Sequence, residues 1–305
     1  MRFRALLLAP LACAAALALP APALALPDCP DQPEIRVIAD GLGALESIGV
    51  DARGRIFFTD ADAGTLLMIR ERGAKPRVIA DGIDGPGGIA FQRHSGRVLV
   101  GFGNSFAQAA DGTLNPEAGI LRVDPDTKQV KVRTEGLQAA NGIARGRDRA
   151  LFASNALTGG IDRIVNGRVQ LNWAPVSSAN GLIADRDGES LFVNQTLGPA
   201  AIVRVPLDDP AAASTYWSAP AADLAAGLDG LTSDGRDNLY AAANAGGAVW
   251  RVGSDGAGCA LAKRQPFPSG PSDLAFGRKG AGFSRESLYV TTFGGELLEL
   301  VGARG

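Results

Sequence analysis

Glu46, Asn141, Asn180 and Asp229 occupy equivalent places in a repeat of about 40 residues, each just before or at a glycine-rich step into a short strand. The six copies begin at Glu46, Gly87, Asn141, Asn180, Asp229 and Ser272, and the residue at the step changes from copy to copy. If the six equivalent positions meet on one axis, two carboxylates and two amide oxygens converge. That is a donor set for a hard divalent cation, which takes six to eight oxygen ligands and tolerates irregular geometry, and calcium is the first expectation. Zinc or copper held by nitrogen and sulfur ligands is disfavoured, because the chain has one histidine and no cysteine at the repeated positions. Two carboxylates held close in a partly enclosed channel also repel, raising each other's pKa unless a cation lies between them. The bland reading of each pair alone is a turn, since Asn-Gly and Asp-Gly are ordinary turn dipeptides.

The elements that must position these residues are short strands. In the first repeat, Glu46 to Asp51 enters an inner strand, Ala52-Arg53-Gly54 turns, and Arg55 to Asp60 forms a second strand. Thr65 to Arg70 forms a third and Pro76 to Asp81 an outer one. Runs of about five β-favouring residues punctuated by Gly, Asp and Asn recur through the chain, and no stretch has a long helical period. Four strands per repeat and six repeats predict an all-β fold, a six-bladed propeller of four-stranded antiparallel blades. Arg36-Val37-Ile38-Ala39-Asp40-Gly41 recurs letter for letter as Arg77-Val78-Ile79-Ala80-Asp81-Gly82, the outer strand of the first blade. The N-terminal strand is therefore expected to complete the last blade and remove an open edge.

The first 25 residues read as a cleaved export signal, with Arg2 and Arg4 before an apolar run from Ala5 to about Leu19 and then Ala23-Leu24-Ala25. Residues 26–305 are then one propeller domain, periplasmic or secreted. Without Arg2 and Arg4, 28 basic residues stand against 32 acidic ones, a net of −4, which is no footprint for nucleic acid or an anionic membrane surface. The expected partner is a small molecule, and the protein is expected to act as a monomer. Cys29 and Cys259 remain as an even pair that an oxidising compartment would join, the alternative being two free thiols. The longest interruption, Asn104 to Ala118, is either a lid over the site or a solvated insertion.

The blade-entry motifs, above all Ala179-Asn180-Gly181-Leu182-Ile183-Ala184-Asp185-Arg186-Asp187-Gly188-Glu189-Ser190-Leu191-Phe192-Val193, resemble the gluconolactonase and regucalcin family of six-bladed propellers. Paraoxonases and diisopropyl fluorophosphatase are similar more distantly. The resemblance implies that Glu46, Asn180 and Asp229 hold a divalent metal, calcium, zinc or manganese in different members. It implies an additional contact from Asn141 and a proton-accepting role for Asp229. Two features depart from the family: the second blade offers only Gly87 at the ring, and the arginine that binds sugar acids in regucalcin has no counterpart. His94, in Gln92-Arg93-His94-Ser95-Gly96, reads as a turn on the face opposite the ring, not as a base.

The implied activity is metal-assisted hydrolysis of a small ester, a lactone above all. The ion would stabilise the developing oxyanion, and Asp229 would accept a proton or attack directly. Asn104, Asn155, Asn194 and Asn244 follow the second strands of their blades and are candidates for substrate hydroxyls, each alternatively a turn residue. The competing reading is a non-catalytic, calcium-stabilised propeller that binds a protein or glycan.

Overall fold

A computed structural model describes residues 25–305 except His94, Thr113 and Thr158. The export-signal segment up to residue 24 and the expected surface turn at His94 lie outside the described residues. Strand β1 (Glu34–Ala39) is followed by blade one, β2 (Leu45–Val50), β3 (Ile56–Asp60), β4 (Thr65–Ile69) and β5 (Arg77–Ala80). Blade two is β6 (Ile89–Phe91), β7 (Val98–Phe102), helix α1 (Phe106–Asp111), β8 (Ala118–Val123) and β9 (Val130–Leu137). Blade three is β10 (Ile143–Arg145), β11 (Leu151–Ser154), β12 (Ile161–Val165) and β13 (Arg168–Ala174). Blade four is β14 (Ala179–Ala184), β15 (Ser190–Gln195), β16 (Ala201–Pro206) and β17 (Ser214–Ser218). Blade five is β18 (Leu228–Ser233), β19 (Leu239–Ala243), β20 (Ala248–Val252) and β21 (Gly258–Lys263). Blade six joins β22 (Pro271–Phe276), β23 (Leu288–Thr292) and β24 (Leu297–Val301) to β1, giving six four-stranded sheets among the described residues.

The middle strands of a blade are covered on both faces by neighbouring blades, so they read as continuous apolar runs: every residue of β3, β4 and β19 is buried. Aromatic pairs fill the wedges between blades, with Phe57 against Phe91 at 5.7 Å, Trp217 against Trp250 at 5.8 Å and Tyr240 against Phe276 at 4.9 Å between ring centres. Such edge-on contacts suit aromatic quadrupoles. Outer strands such as β9, Val-Lys-Val-Arg-Thr-Glu-Gly-Leu, are mostly exposed and carry charges that discourage edge pairing with another chain.

Closure follows the letter-for-letter repeat. β1 runs antiparallel to β24, with Glu34 opposite Val301 and Ile35 opposite Leu300. Across the seam to blade one, the Arg72 guanidinium grips buried Glu299 with two hydrogen bonds of 3.0 and 2.6 Å, and the Tyr289 hydroxyl donates to the same carboxylate. The segment before β1 also ties blade five to blade six. Cys29 is joined to Cys259 by a disulfide, the Cys29 amide donates to the Ala260 carbonyl at 2.9 Å, and Arg251 pairs with Asp31. Replacing both cysteines by serine is expected to lower stability by about 2–4 kcal/mol through the freed unfolded chain, seen as a lower denaturant midpoint. The β1–β24 ladder should hold the ring closed, and an unchanged midpoint would show that the crosslink adds nothing to that ladder.

Asn104 to Ala118 is not wholly irregular: it contains α1. Ser105 caps the helix in a reciprocal box with Gln108, whose side chain also donates to Asp84. Among the described residues, no helix is long and apolar enough to cross a membrane.

Candidate metal centre and its cleft

At the ring, the inner strands are bulged against their neighbours. Register shifts fall between Leu45 and Ile48, Ala179 and Leu182, Leu228 and Leu231, and Pro271 and Asp273. Glu46, Asn180 and Asp229 each sit inside one of these interruptions, which re-aim a side chain out of the pleat. In blades two and three the inner strand starts only at Ile89 and Ile143, so Gly87 and Asn141 lie just ahead of it. Residues late in the second strand of one blade clasp the ring backbone of the next. Thr59 Oγ1 donates to the Gly87 carbonyl at 3.2 Å, and Ser154 Oγ to that of Asn180 at 2.6 Å. Asn194 Nδ2 donates to the carbonyls of Asp229 and Gly230 at 2.9 Å each, and Asn244 Nδ2 to that of Pro271 at 3.1 Å.

The result is an axial cavity of about 160 Å³ lined by Glu46, Asn141, Asn180, Asp229 and Asp273. It continues into an outer cleft of about 590 Å³ whose floor is formed by Glu46, Asn141, Asn180 and Asp229. All four ring residues therefore share one channel and one face. Asn104 Nδ2 and Asn141 Nδ2 both donate to Glu46 Oε1 at 3.0 Å. A carboxylate can only accept, so the Asn141 amide must present its nitrogen to Glu46, which leaves Oδ1 as its other face. Asn180 is oriented by the same logic: Thr196 gives its proton to the Leu228 carbonyl at 2.7 Å and accepts from Asn180 Nδ2 at 2.8 Å. Two amide oxygens are thus set by partners inside the protein.

Of the four asparagines expected to meet substrate hydroxyls, Asn104 and Asn244 line the cleft. Asn155 and Asn194 do not. Both are buried; Asn155 Nδ2 holds the Ala109 carbonyl of α1 and Asn194 holds the blade-five bulge, so their amides serve backbone that would otherwise lack partners.

Sequence reasoning missed Asp273 and Thr196. Ser272 takes the ring position of blade six, but its hydroxyl turns away to the Leu45 carbonyl at 2.5 Å, and Asp273 stands one residue later, where blades three, four and five have glycine. Asp273 Oδ2 accepts from the Ser47 hydroxyl at 2.7 Å and from the Ile48 amide at 3.0 Å, and Oδ1 from the Leu274 amide. The room for it comes from Gly230, where an added Cβ would lie 2.1 Å from Asp273 Oδ1 and 2.5 Å from its Cα. Gly230→Ala should therefore cost about 2 kcal/mol or more by overpacking. A thermal midpoint equal to that of the unsubstituted protein would sink this.

Electrostatics make the channel costly by itself. Burial, then the Asp273 charge, push Glu46 from 4.5 to about 7, opposed by the Asn104 hydrogen bond. Burial, then Glu46 and Asp273, push Asp229 well above its ordinary value, opposed by Asn180. Burial pushes Asp273 from 3.8 to about 6 against its three hydrogen bonds. A divalent cation among these groups would remove the repulsion, and the oxygen-only donor set fits a hard ion. Among the described residues, no group of three or more His, Cys, Asp and Glu assembles as a metal cluster; the candidate set is mixed, two carboxylates with two amides.

Residues 153–294 match the family described as the SMP-30/gluconolactonase/LRE-like region. Among solved structures, a gluconolactonase from Xanthomonas campestris is similar at 21% identity, with 92% of this chain and 98% of that chain covered and a TM-score of 0.68. Regucalcin from Agrobacterium tumefaciens, a calcium-binding protein, is similar at 19% identity, with 91% and 96% covered and a TM-score of 0.68. Virginiamycin B lyase from Staphylococcus aureus follows at 17% identity, 84% and 79% coverage and a TM-score of 0.56. At such identities these likenesses establish the fold. No curated protein matches the sequence. The chain is a six-bladed propeller whose residues 153–294 match the SMP-30/gluconolactonase/LRE-like family, and that matched region carries Asn180 and Asp229, two of the four ring residues.

Proposed function

We propose that the protein is a metal-dependent hydrolase of small esters, with lactones as the substrate class. The observation that carries this is the placing of Glu46, Asn141, Asn180 and Asp229 on one channel wall at the floor of a cleft large enough for a small molecule. Those four residues would hold the ion, calcium first and zinc or manganese by family. When bound, such an ion supplies Lewis acidity to a carbonyl oxygen. Asp229, at the floor of the cleft, accepts the proton of the attacking water. Asn104 and Asn141 fix the Glu46 carboxylate, and Asn194 fixes the backbone that presents Asp229.

Action outside the cytoplasm belongs to the same reading. It is supported by the signal-like first 25 residues and by the Cys29–Cys259 disulfide, which an oxidising compartment maintains. The experiment is hydrolysis of aldono- and aliphatic lactones by the purified protein with calcium, manganese or zinc, before and after chelation. Turnover lost on chelation and restored by one of these ions is expected. Tight ion binding without turnover of any ester would instead identify a calcium-stabilised binding propeller.

A further inference from the structure

We propose that the substrate carries an apolar alkyl or aryl group, seated against Phe106, Leu157, Leu197, Phe267 and Phe293, and is not a polyhydroxylated sugar lactone; this rests on the ester-hydrolase reading above. The five side chains line the outer cleft directly above the candidate metal centre. They come from five different blades: Phe106 from α1 of blade two, Leu157 after β11, Leu197 after β15, Phe267 between β21 and β22, and Phe293 after β23. Phe106 is 79% exposed, Phe267 68% and Leu197 55%. Large apolar side chains left in water on one rim, continuous with a polar floor, mark a surface that something apolar covers.

The polar inventory of the cleft argues the same way. Among the described residues, the charged ones that line it are Glu46 and Asp229, both on the floor, and no arginine or lysine does. An anionic sugar acid therefore has no counter-charge above the floor. The amide nitrogens of Asn104, Asn141, Asn180 and Asn244 each already give one hydrogen bond, to Glu46, Glu46, Thr196 and the Pro271 carbonyl, and the Thr196 hydroxyl donates to Leu228. Hydroxyls lying above that floor would give up water and meet phenylalanine and leucine, which return no hydrogen bond. An alkyl tail loses nothing polar and gains from burial. Phe106 is held ready: the capping box fixes the start of its helix and Asn155 anchors the helix at Ala109.

The test compares δ-decalactone, which has a pentyl tail, with tailless δ-valerolactone and with glucono-δ-lactone, using the metal-loaded protein. Each methylene seated in the cleft is worth about fourfold, so kcat/KM for decalactone should exceed that for valerolactone by roughly thirtyfold or more, with gluconolactone lowest. In Phe106→Ser and Phe267→Ser, both at exposed positions that folding tolerates, the decalactone to valerolactone ratio should fall at least threefold. Equal rates for the two alkyl lactones, or gluconolactone as the best substrate, overturn the inference and leave the hydrolase reading standing. If no lactone is turned over, calorimetric binding of the corresponding lactams decides. Tighter binding of the pentyl lactam, weakened in the two serine variants, keeps the apolar cleft while the hydrolase reading falls. Equal binding of the two lactams removes the inference.

Discussion

Asp229→Asn is expected to reduce kcat by about a thousandfold, within the range for losing a positioned general base, while the protein stays folded. The substitution is nearly isosteric. The main-chain bulge is held from outside by Asn194 through the Asp229 and Gly230 carbonyls, so it does not depend on the charge. Removing one of three mutually repelling channel carboxylates should leave the metal-free protein at least as stable as before, because Glu46 and Asp273 both raise the pKa of Asp229. The measurement pairs lactone turnover with thermal melting. Turnover within tenfold of the unsubstituted protein would remove Asp229 from the chemistry. A collapsed melting temperature without metal would show that its charge is structural.

The second large effect is a pH dependence that a cation reverses. Glu46 and Asp273 titrate in the fold at about 7 and about 6, against ordinary values of 4.5 and 3.8. Between those limits the folded state binds more protons than the unfolded one, so stability falls as pH rises. Asp273 alone is displaced enough to remove on the order of 3 kcal/mol. The carboxylates displaced downwards, Asp31, Asp124, Asp126 and Glu299 among them, act with the opposite sign and only below about pH 4.5, which leaves this window to the raised groups, the channel carboxylates and Asp162. Chelated protein should therefore melt roughly 5 °C or more lower at pH 7.5 than at pH 5. Millimolar calcium should raise the pH 7.5 midpoint far more than the pH 5 one, since an ion that binds only the folded state stabilises it by mass action. A chelated protein that gains stability over that range would contradict the channel electrostatics.

Much of this was readable without coordinates. The Arg36 to Gly41 and Arg77 to Gly82 duplication marked β1 as an outer strand, and β1 does pair with β24 at the edge of blade six. The ring positions were legible because the strand pattern on either side of each step is strong enough to align them. Asp273 escaped for a local reason. Blades three, four and five place the polar residue first and glycine second, but blade six reads Ser272-Asp273, so the carboxylate stands where the pattern expects glycine. Only the neighbouring blade's Gly230 makes room for it, and that packing crosses between distant segments. Asn155 and Asn194 lie outside the cleft lining for a similar reason. Spacing places them after their strands, but whether an amide faces a cleft or a neighbouring carbonyl is decided by the next blade.

The closing strand also orders the events of folding. β1 precedes the strands of all six blades in the chain and its partner β24 follows them, so the pairing of Glu34 with Val301 spans every blade. Without that long-range pairing blade six lacks its outer strand, in the same blade that supplies Asp273. A circular permutant that begins at Leu42 and carries the old N-terminal strand after Val301 would make blade six contiguous, shorten that span, and expose how slowly the natural order closes.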